Sequence, residues 1–196
     1  MLDPRSNARR MTAEEYLAWH RDETERYEYV DGTPRLKFVT WDGPRMMVGA
    51  TQAHIRLTGN AFALLRDLLR GHRYRPAAAD GKVVTPAGNY RYPDVAVDCG
   101  PYDPKASVLS EPVIVVEVWS KSTHWLDTTR KLEDYKSIAS IRHILFLSQD
   151  EVRGQLWTRE ADWQLAELAG MEAQASLSAL GLTLSFATLY EGMGLG

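Results

Sequence analysis

The chain has 196 residues, a formal net charge of −3, 44% hydrophobic and 25% charged residues. That length suits one domain with a substantial core. The acidic balance excludes nucleic-acid binding through overall basicity, so any phosphate contact must come from a local patch. The lone cysteine, Cys99, excludes an intramolecular disulfide and a cysteine zinc site, and it fits a reducing cytoplasm.

Residues 1–10 lack periodicity and read as a flexible N-terminal tail. Met1 to Met11 carries three arginines and no apolar stretch, so no secretory signal is expected. Residues 11–196 read as a single domain. A helix begins at Thr12, where Thr12 and Glu15 have capping-box spacing and Met11 with Tyr16 that of a hydrophobic staple. Tyr27 to Val30 reads as a strand, Asp31-Gly32 as a turn, and Leu36 to Trp41 as the returning strand. The spacing of Ile55, Leu57, Phe62, Leu65, Leu68 and Leu69 predicts an amphipathic helix over His54 to Leu69. Tyr74 to Val84 reads as extended.

Two strands follow, Tyr92 to Cys99 and Pro112 to Ser120. The apolar run of the second predicts burial on both faces. It is also too short to span a bilayer and contains Glu117, so no membrane segment is expected. Asp127 to Ile138 reads as a helix and His143 to Leu147 as a strand. Arg153 to Arg159 and Trp163 to Leu168 read as a C-terminal hairpin, in which Trp157 and Trp163 suit cross-strand packing rather than a base-stacking platform. The order implies an α/β fold, a mixed sheet flanked by helices with a C-terminal β-hairpin extension.

Glu117 carries the most information. An unpaired carboxylate inside Val115-Val116-Glu117-Val118-Trp119 costs several kcal/mol, so it must be protonated, paired or bound to a metal. An ion pair with an arginine is as good a reading as a site. Asp94, in Tyr92-Pro93-Asp94-Val95, shifts the balance, because neighbouring strands can present both carboxylates to one cleft. Hard divalent cations take such oxygen ligands. Asp98 shares the strand parity of Asp94 and competes with it. Asp127, Lys131 and Tyr135 are spaced by four on one helix face, where a surface Asp127–Lys131 pair is the simpler alternative. His54 reads better as a packed or surface histidine than as a ligand, and Ser120, Ser122 and Thr123 as helix-capping hydroxyls. Arg66, Arg70, Arg73 and Arg75 form either a phosphate-binding or a solvated face.

Taken together, Glu117-Val-Trp-Ser120-Lys-Ser122-Thr123 followed by Asp127, Lys131 and Tyr135 resembles the Uma-two family of the PD-(D/E)xK nuclease superfamily. Met11 to Leu17, Tyr27 to Gly32, His54 and Pro93-Asp94 extend the resemblance over roughly residues 11–150. It implies a restriction-endonuclease-like fold and a Mg2+- or Mn2+-dependent endonuclease acting on DNA. Asp94 and Glu117 would be the metal-binding carboxylates, and Glu28 the acidic residue completing the site. The superfamily lysine normally stands two residues after the strand glutamate, here Trp119. The resemblance gives its role to Lys131, with Lys121, in place of the usual proline, as a rival cation. His54, Asp127 and Tyr135 would be accessory. A homodimer is compatible with cutting two strands. The competing expectation is a nuclease-fold binding or interaction protein without catalysis. Substitution of Asp94 or Glu117 by alanine is expected to relieve like-charge repulsion and spare stability.

Overall fold

The computed structural model describes residues 10–23, 27–37, 50–78, 80–120 and 125–195, with the side chains of Leu36 and of residues 125–127 left out. In chain order the elements are α1 (Ala13–His20), β1 (Tyr27–Val30), β2 (Thr33–Leu36), α2 (Gln52–Leu68), β3 (Arg75–Ala78), β4 (Val83–Val84), β5 (Tyr90–Arg91) and β6 (Val95–Asp98). Then come β7 (Pro112–Trp119), α3 (Trp125–Ser137), β8 (His143–Ser148), β9 (Arg153–Thr158), β10 (Gln164–Ala169), β11 (Gln174–Leu177), β12 (Leu182–Ser185) and α4 (Phe186–Leu189).

The main sheet has the order β10-β9-β8-β7-β6-β3. Only β7 and β8 are parallel, and α3 is the crossover between them. The 153–168 hairpin forms as expected and continues this sheet as its β9–β10 edge. A smaller sheet, β2-β1-β5-β4, stands beside it. The mixed sheet with flanking helices is the α/β arrangement the sequence implies.

Local chemistry explains the elements. The Thr12 hydroxyl accepts from the Glu15 N–H at 3.1 Å while the Glu15 carboxylate accepts from the Thr12 N–H at 2.7 Å, a complete capping box. The β1–β2 turn needs positive φ at both centres, and Asp31 and Gly32 supply +50° and +76°. The return strand begins at Thr33, earlier than expected, and its expected continuation to Trp41 lies outside the described residues. Thr51 caps α2 through the His54 N–H at 3.1 Å. The buried stripe of that helix is Leu57, Ala61, Leu65 and Leu69, whereas Ile55 is 60% exposed. A strict four-residue repeat selects one face, which a count of apolar positions does not reveal.

Strand β7 is buried on both faces. Ile114, Val116 and Val118 join Leu57, Ala61 and Leu65 in one core, and Val115 joins Tyr135, Ile138 and Ile141 in the other. Full burial of each such aliphatic side chain contributes about 1.5–3 kcal/mol. The strand expected over Tyr92 to Cys99 is shorter, Val95–Asp98, and a separate short strand precedes it. Tyr90–Arg91 belongs to the small sheet, and the main sheet resumes at Val95, after Pro93 has interrupted the ladder. Beyond residue 169 the sequence suggested no element, yet β11, β12 and α4 close the α2 side of the core. Asn60 ties them down by donating to the carbonyls of Leu189 and Glu191 at 2.8 and 3.0 Å. No helix among the described residues is long and apolar enough to cross a membrane.

Candidate active site

The β6–β7 register pairs Val95 with Val116 and Ala96 with Val115. Continued by one residue, it sets Asp94 opposite Glu117, so both carboxylates leave the same sheet face. That is the face covered by α3, whose four-residue spacing turns Lys131 and Tyr135 toward the sheet. Strand β1 brings Glu28 to the same place from the small sheet. All three carboxylate residues are at most 4% exposed.

Each carboxylate has partners. Lys131 Nζ stands 3.1 Å from Glu117 Oε2 and 3.8 Å from Glu28 Oε1. The Tyr135 hydroxyl donates to Glu117 Oε1 at 2.5 Å. Asp94 Oδ2 accepts the Val118 N–H at 2.8 Å, while its Oδ1 meets Lys37 Nζ at 3.0 Å and His54 Nε2 at 3.3 Å. Arg91 lies opposite Glu28 across the β1–β5 ladder and donates to Glu28 Oε2 at 2.5 Å. Its Nε donates to Asp134 Oδ2 at 2.7 Å, and Asn89 Nδ2 donates to the other Asp134 oxygen at 3.1 Å.

The electrostatics separate the carboxyls. Burial pushes Glu28 up, but Lys131, Arg91 and Lys37 outweigh it and hold the group below its usual value. Burial also opposes ionisation of Asp94, yet Lys37 and His54 hold it well below the carboxylate range. Glu117 moves the other way. Burial raises it, Lys131 offsets part of that, and the charge of Asp94 adds to the rise. Tyr135 is raised well above a normal phenol by burial and by Glu117, so it stays a donor. The arrangement therefore offers two firmly ionised carboxylates, a third nearer to protonation, and an ammonium shared between two of them.

The structure thus brings together Glu28, Asp94, Glu117, Lys131, Tyr135 and His54. The side chain of Asp127, and Lys121, Ser122 and Thr123, lie outside the described residues. Asp98 is no competitor for the site. It sits at the far end of β6, beyond a register shift, where Oδ1 accepts the Glu111 N–H at 2.7 Å and Oδ2 meets Arg75 at 3.0 Å. Two of the four arginines are likewise spoken for locally, Arg75 by Asp98 and Arg70 by Asp67 at 2.7 Å.

Lys37, Arg91 and Asp134 were missed in the sequence. Lys37 had the same signal as Glu117, a charge between the apolar Leu36 and Phe38. Arg91 had a weaker one, a charge between two tyrosines just before Pro93-Asp94. Among the described residues no three His, Cys, Asp or Glu side chains form a ready-made metal cage, and cationic side chains stand against the carboxylates.

Comparison with known proteins agrees with this architecture. A Synechocystis sp. (strain ATCC 27184 / PCC 6803 / Kazusa) protein, "Uncharacterized protein slr1290", is 27% identical over 188 residues, covering 94% of this chain and 93% of its own length. A second protein of that organism, "Uncharacterized protein sll1609", is 27% identical over 176 residues, covering 86% and 93%. The crystal structure of a "putative nuclease belonging to DUF820" from Anabaena variabilis ATCC 29413 matches 93% of this chain and 99% of that one. Its TM-score is 0.72 at 15% identity, which establishes a shared fold. The Uma2 family model, described as "Putative restriction endonuclease", matches residues 13–187, and the chain belongs to that family.

Proposed function

We propose that the chain is a metal-dependent endonuclease that hydrolyses phosphodiester bonds in DNA. The observation that carries this reading is the placement of Asp94 and Glu117 opposite each other on adjacent strands, with Lys131 3.1 Å from Glu117. Family membership supports the nuclease class.

The donor chemistry fits a magnesium or manganese ion. Buried carboxylate oxygens are the hard ligands such ions take, and ammonium groups already stand where positive charge is favoured. Asp94 and Glu117 would hold the ion. When bound, it supplies Lewis acidity toward a phosphoryl oxygen and acidifies a water.

The chain's own residues do the rest. The Val118 N–H and His54 orient Asp94, and Tyr135 orients Glu117. Arg91, itself held by Asp134, keeps Glu28 ionised and fixed. Lys131 stabilises negative charge developing on the phosphoryl group. Lys37, on the same oxygen of Asp94 as His54, is the cation a metal ion would meet first, and its departure toward a phosphate would conserve the local charge balance. On this reading the reaction would take place in the cytoplasm, and two copies of the chain would serve two strands.

One observation favours a catalytically silent binding protein instead: the three carboxylates are already met by the chain's own cations. Nicking of supercoiled DNA during a magnesium titration separates the two. Metal-dependent nicking that disappears in Asp94→Asn supports hydrolysis. Tight DNA binding without nicking at any magnesium or manganese concentration refutes it.

A further inference from the structure

A hollow of about 400 Å³ opens on the α3 side of the main sheet, beside the ionic cluster. Its walls include Trp119, Trp157, Thr128, Leu132, Ser148 and Gln155. The neighbourhood is set by register. Trp119 follows Glu117 by two on β7 and so shares its sheet face, about 6.6 Å further along. Ser148 is the β8 partner of Trp119, as Phe146 is of Glu117. Thr128 and Leu132 flank Lys131 along α3. A group bound here adjoins whatever Lys131 and Glu117 hold.

Trp119 supplies a second observation. Its indole Nε1 is buried and has no hydrogen-bond partner among the described residues. Indole N–H is a donor only, and leaving a buried donor unmade is costly, so this atom calls for an acceptor. The surrounding groups are a leucine, a second indole, hydroxyls, the Gln155 amide and two charged side chains, Glu151 and Arg153. Arg153 is paired with Glu167 at 3.2 Å, and Gln155 donates to the same glutamate at 2.7 Å. The hollow thus offers flat apolar walls and hydrogen-bonding groups, with a carboxylate on one side that disfavours a phosphate there, while the cation suited to a phosphate lies next door in Lys131. Its size is within the range of small-ligand pockets. Trp157 also keeps its packing role, edge-on to Phe146 at 5.4 Å.

We propose that this hollow is a nucleobase pocket, which takes the base of a nucleotide whose phosphate lies at Lys131 and accepts the Trp119 indole N–H on a ring nitrogen or carbonyl oxygen. The proposal rests on the reading of the neighbouring cleft as a phosphodiester site. It implies that the enzyme acts on unpaired or unstacked nucleotides, since a base inside a duplex cannot reach such a wall.

The test uses the full chain in EDTA, so neither metal binding nor cleavage enters. Deoxynucleoside 5′-monophosphates and deoxyribose 5-phosphate are titrated against the ¹⁵N-labelled protein. The Trp119 indole resonance is identified by its loss in Trp119→Phe. It is expected to move with nucleotide and to stay put with the sugar phosphate. Trp119→Phe is expected to weaken nucleotide binding roughly fivefold, the worth of one hydrogen bond, and to leave sugar-phosphate binding unchanged. Gln155→Ala, at the rim, provides a second reading of base-dependent affinity should Trp119→Phe fold poorly. An indole unmoved at saturating nucleotide, as ordered water in the hollow would give, overturns the proposal. So does equal affinity for nucleotide and sugar phosphate. Metal-dependent nicking without base-dependent binding would remove the pocket and keep the hydrolase; the reverse pattern would keep the pocket alone.

Discussion

Asp94→Asn and Glu117→Gln, measured without metal, should change stability in opposite directions, although the two residues face each other in one cluster. Asp94 is held ionised by Lys37 at 3.0 Å and His54 at 3.3 Å, and it accepts the Val118 N–H. Asparagine keeps the shape and can still accept from Val118, but it removes the carboxylate 3.0 Å from the Lys37 ammonium, whose side chain is 3% exposed, and leaves it only the weaker influence of Glu28 and Glu117. Breaking one partner of a buried pair costs about 3–5 kcal/mol, and the shared contact with His54 argues for the lower end. For a chain of this size that loss lowers Tm by about 6–12 °C. Glu117 is ionised at a cost, because burial and the charge of Asp94 raise its pKa more than Lys131 lowers it. Glutamine removes that cost and retains an acceptor for Tyr135, so stability at neutral pH should hold or rise. This corrects the simpler expectation that either loss relieves repulsion and spares the fold.

The pH dependence follows with definite signs. The folded Asp94 pKa lies below its unfolded value, near 3.9. Its contribution is complete above that value and is lost as pH falls through the folded pKa. The parent should therefore lose stability below about pH 4 more steeply than Asp94→Asn. The folded Glu117 pKa is raised, so the gain in Glu117→Gln should vanish as pH falls through that raised value. Urea unfolding in EDTA at several pH values reads both. Equal stability of Asp94→Asn and the parent at neutral pH refutes the ion-pair reasoning, and adding Lys37→Met to Asp94→Asn should recover most of the loss.

Lys131→Met should lower the single-turnover cleavage rate about 10²–10³-fold at saturating metal, with Lys121→Met acting mainly on DNA affinity and its salt dependence; the reverse ranking returns the cation to the strand end. Lys37→Met should tighten Mn2+ binding, read by electron paramagnetic resonance, because a competing charge leaves Asp94; unchanged or weaker binding shows that Lys37 does not stand in the metal's place. Arg91→Lys should cost about 3 kcal/mol in urea unfolding, since one ammonium cannot serve both Glu28 and Asp134. Gly154→Ala should destabilise by about 1–3 kcal/mol, because its Cβ would come within 2.8 Å of Phe186 and 3.1 Å of Leu147.

The elements legible in the sequence are those whose signal is local. The Thr12–Glu15 box, the Asp31-Gly32 turn and the apolar run of β7 each follow from a few adjacent residues, and each forms. Strand β5 was hidden because Tyr90–Arg91 is only two residues long, and pairing with β1 and β4 rather than any local pattern makes it a strand. The closing segment after residue 169 was hidden because β11 and β12 are short and gain burial only against α2. Within the candidate site, Asp94 and Glu117 were legible as carboxylates on neighbouring strands, and Lys131 and Tyr135 joined them only through the family resemblance. Arg91 and Asp134 were not legible, because their function exists only in three dimensions, as a buried guanidinium joining a strand of the small sheet to α3.

That guanidinium also explains how three carboxylates can be buried together without metal. Glu28, Asp94, Glu117 and Asp134 bring four negative charges to the cluster, and Lys37, Arg91 and Lys131 bring three positive ones. Arg91 is fixed between two acids at nearly complete burial, so it belongs to the scaffold. The lysines differ from it. Their flexible stems end in single point charges, and each ammonium stands against a carboxylate proposed to hold the metal. A divalent ion entering among Asp94 and Glu117 would turn the balance positive and repel them both. Lys131, anchored on α3 and shared with Glu28, can turn from one acid to the other without leaving. Lys37, buried against Asp94, would be displaced by the ion toward the phosphate that would restore neutrality. On the proposed reading, Lys37 and Lys131, which pair with Asp94 and Glu117, would be the charges that meet the substrate phosphate when those carboxylates hold a metal.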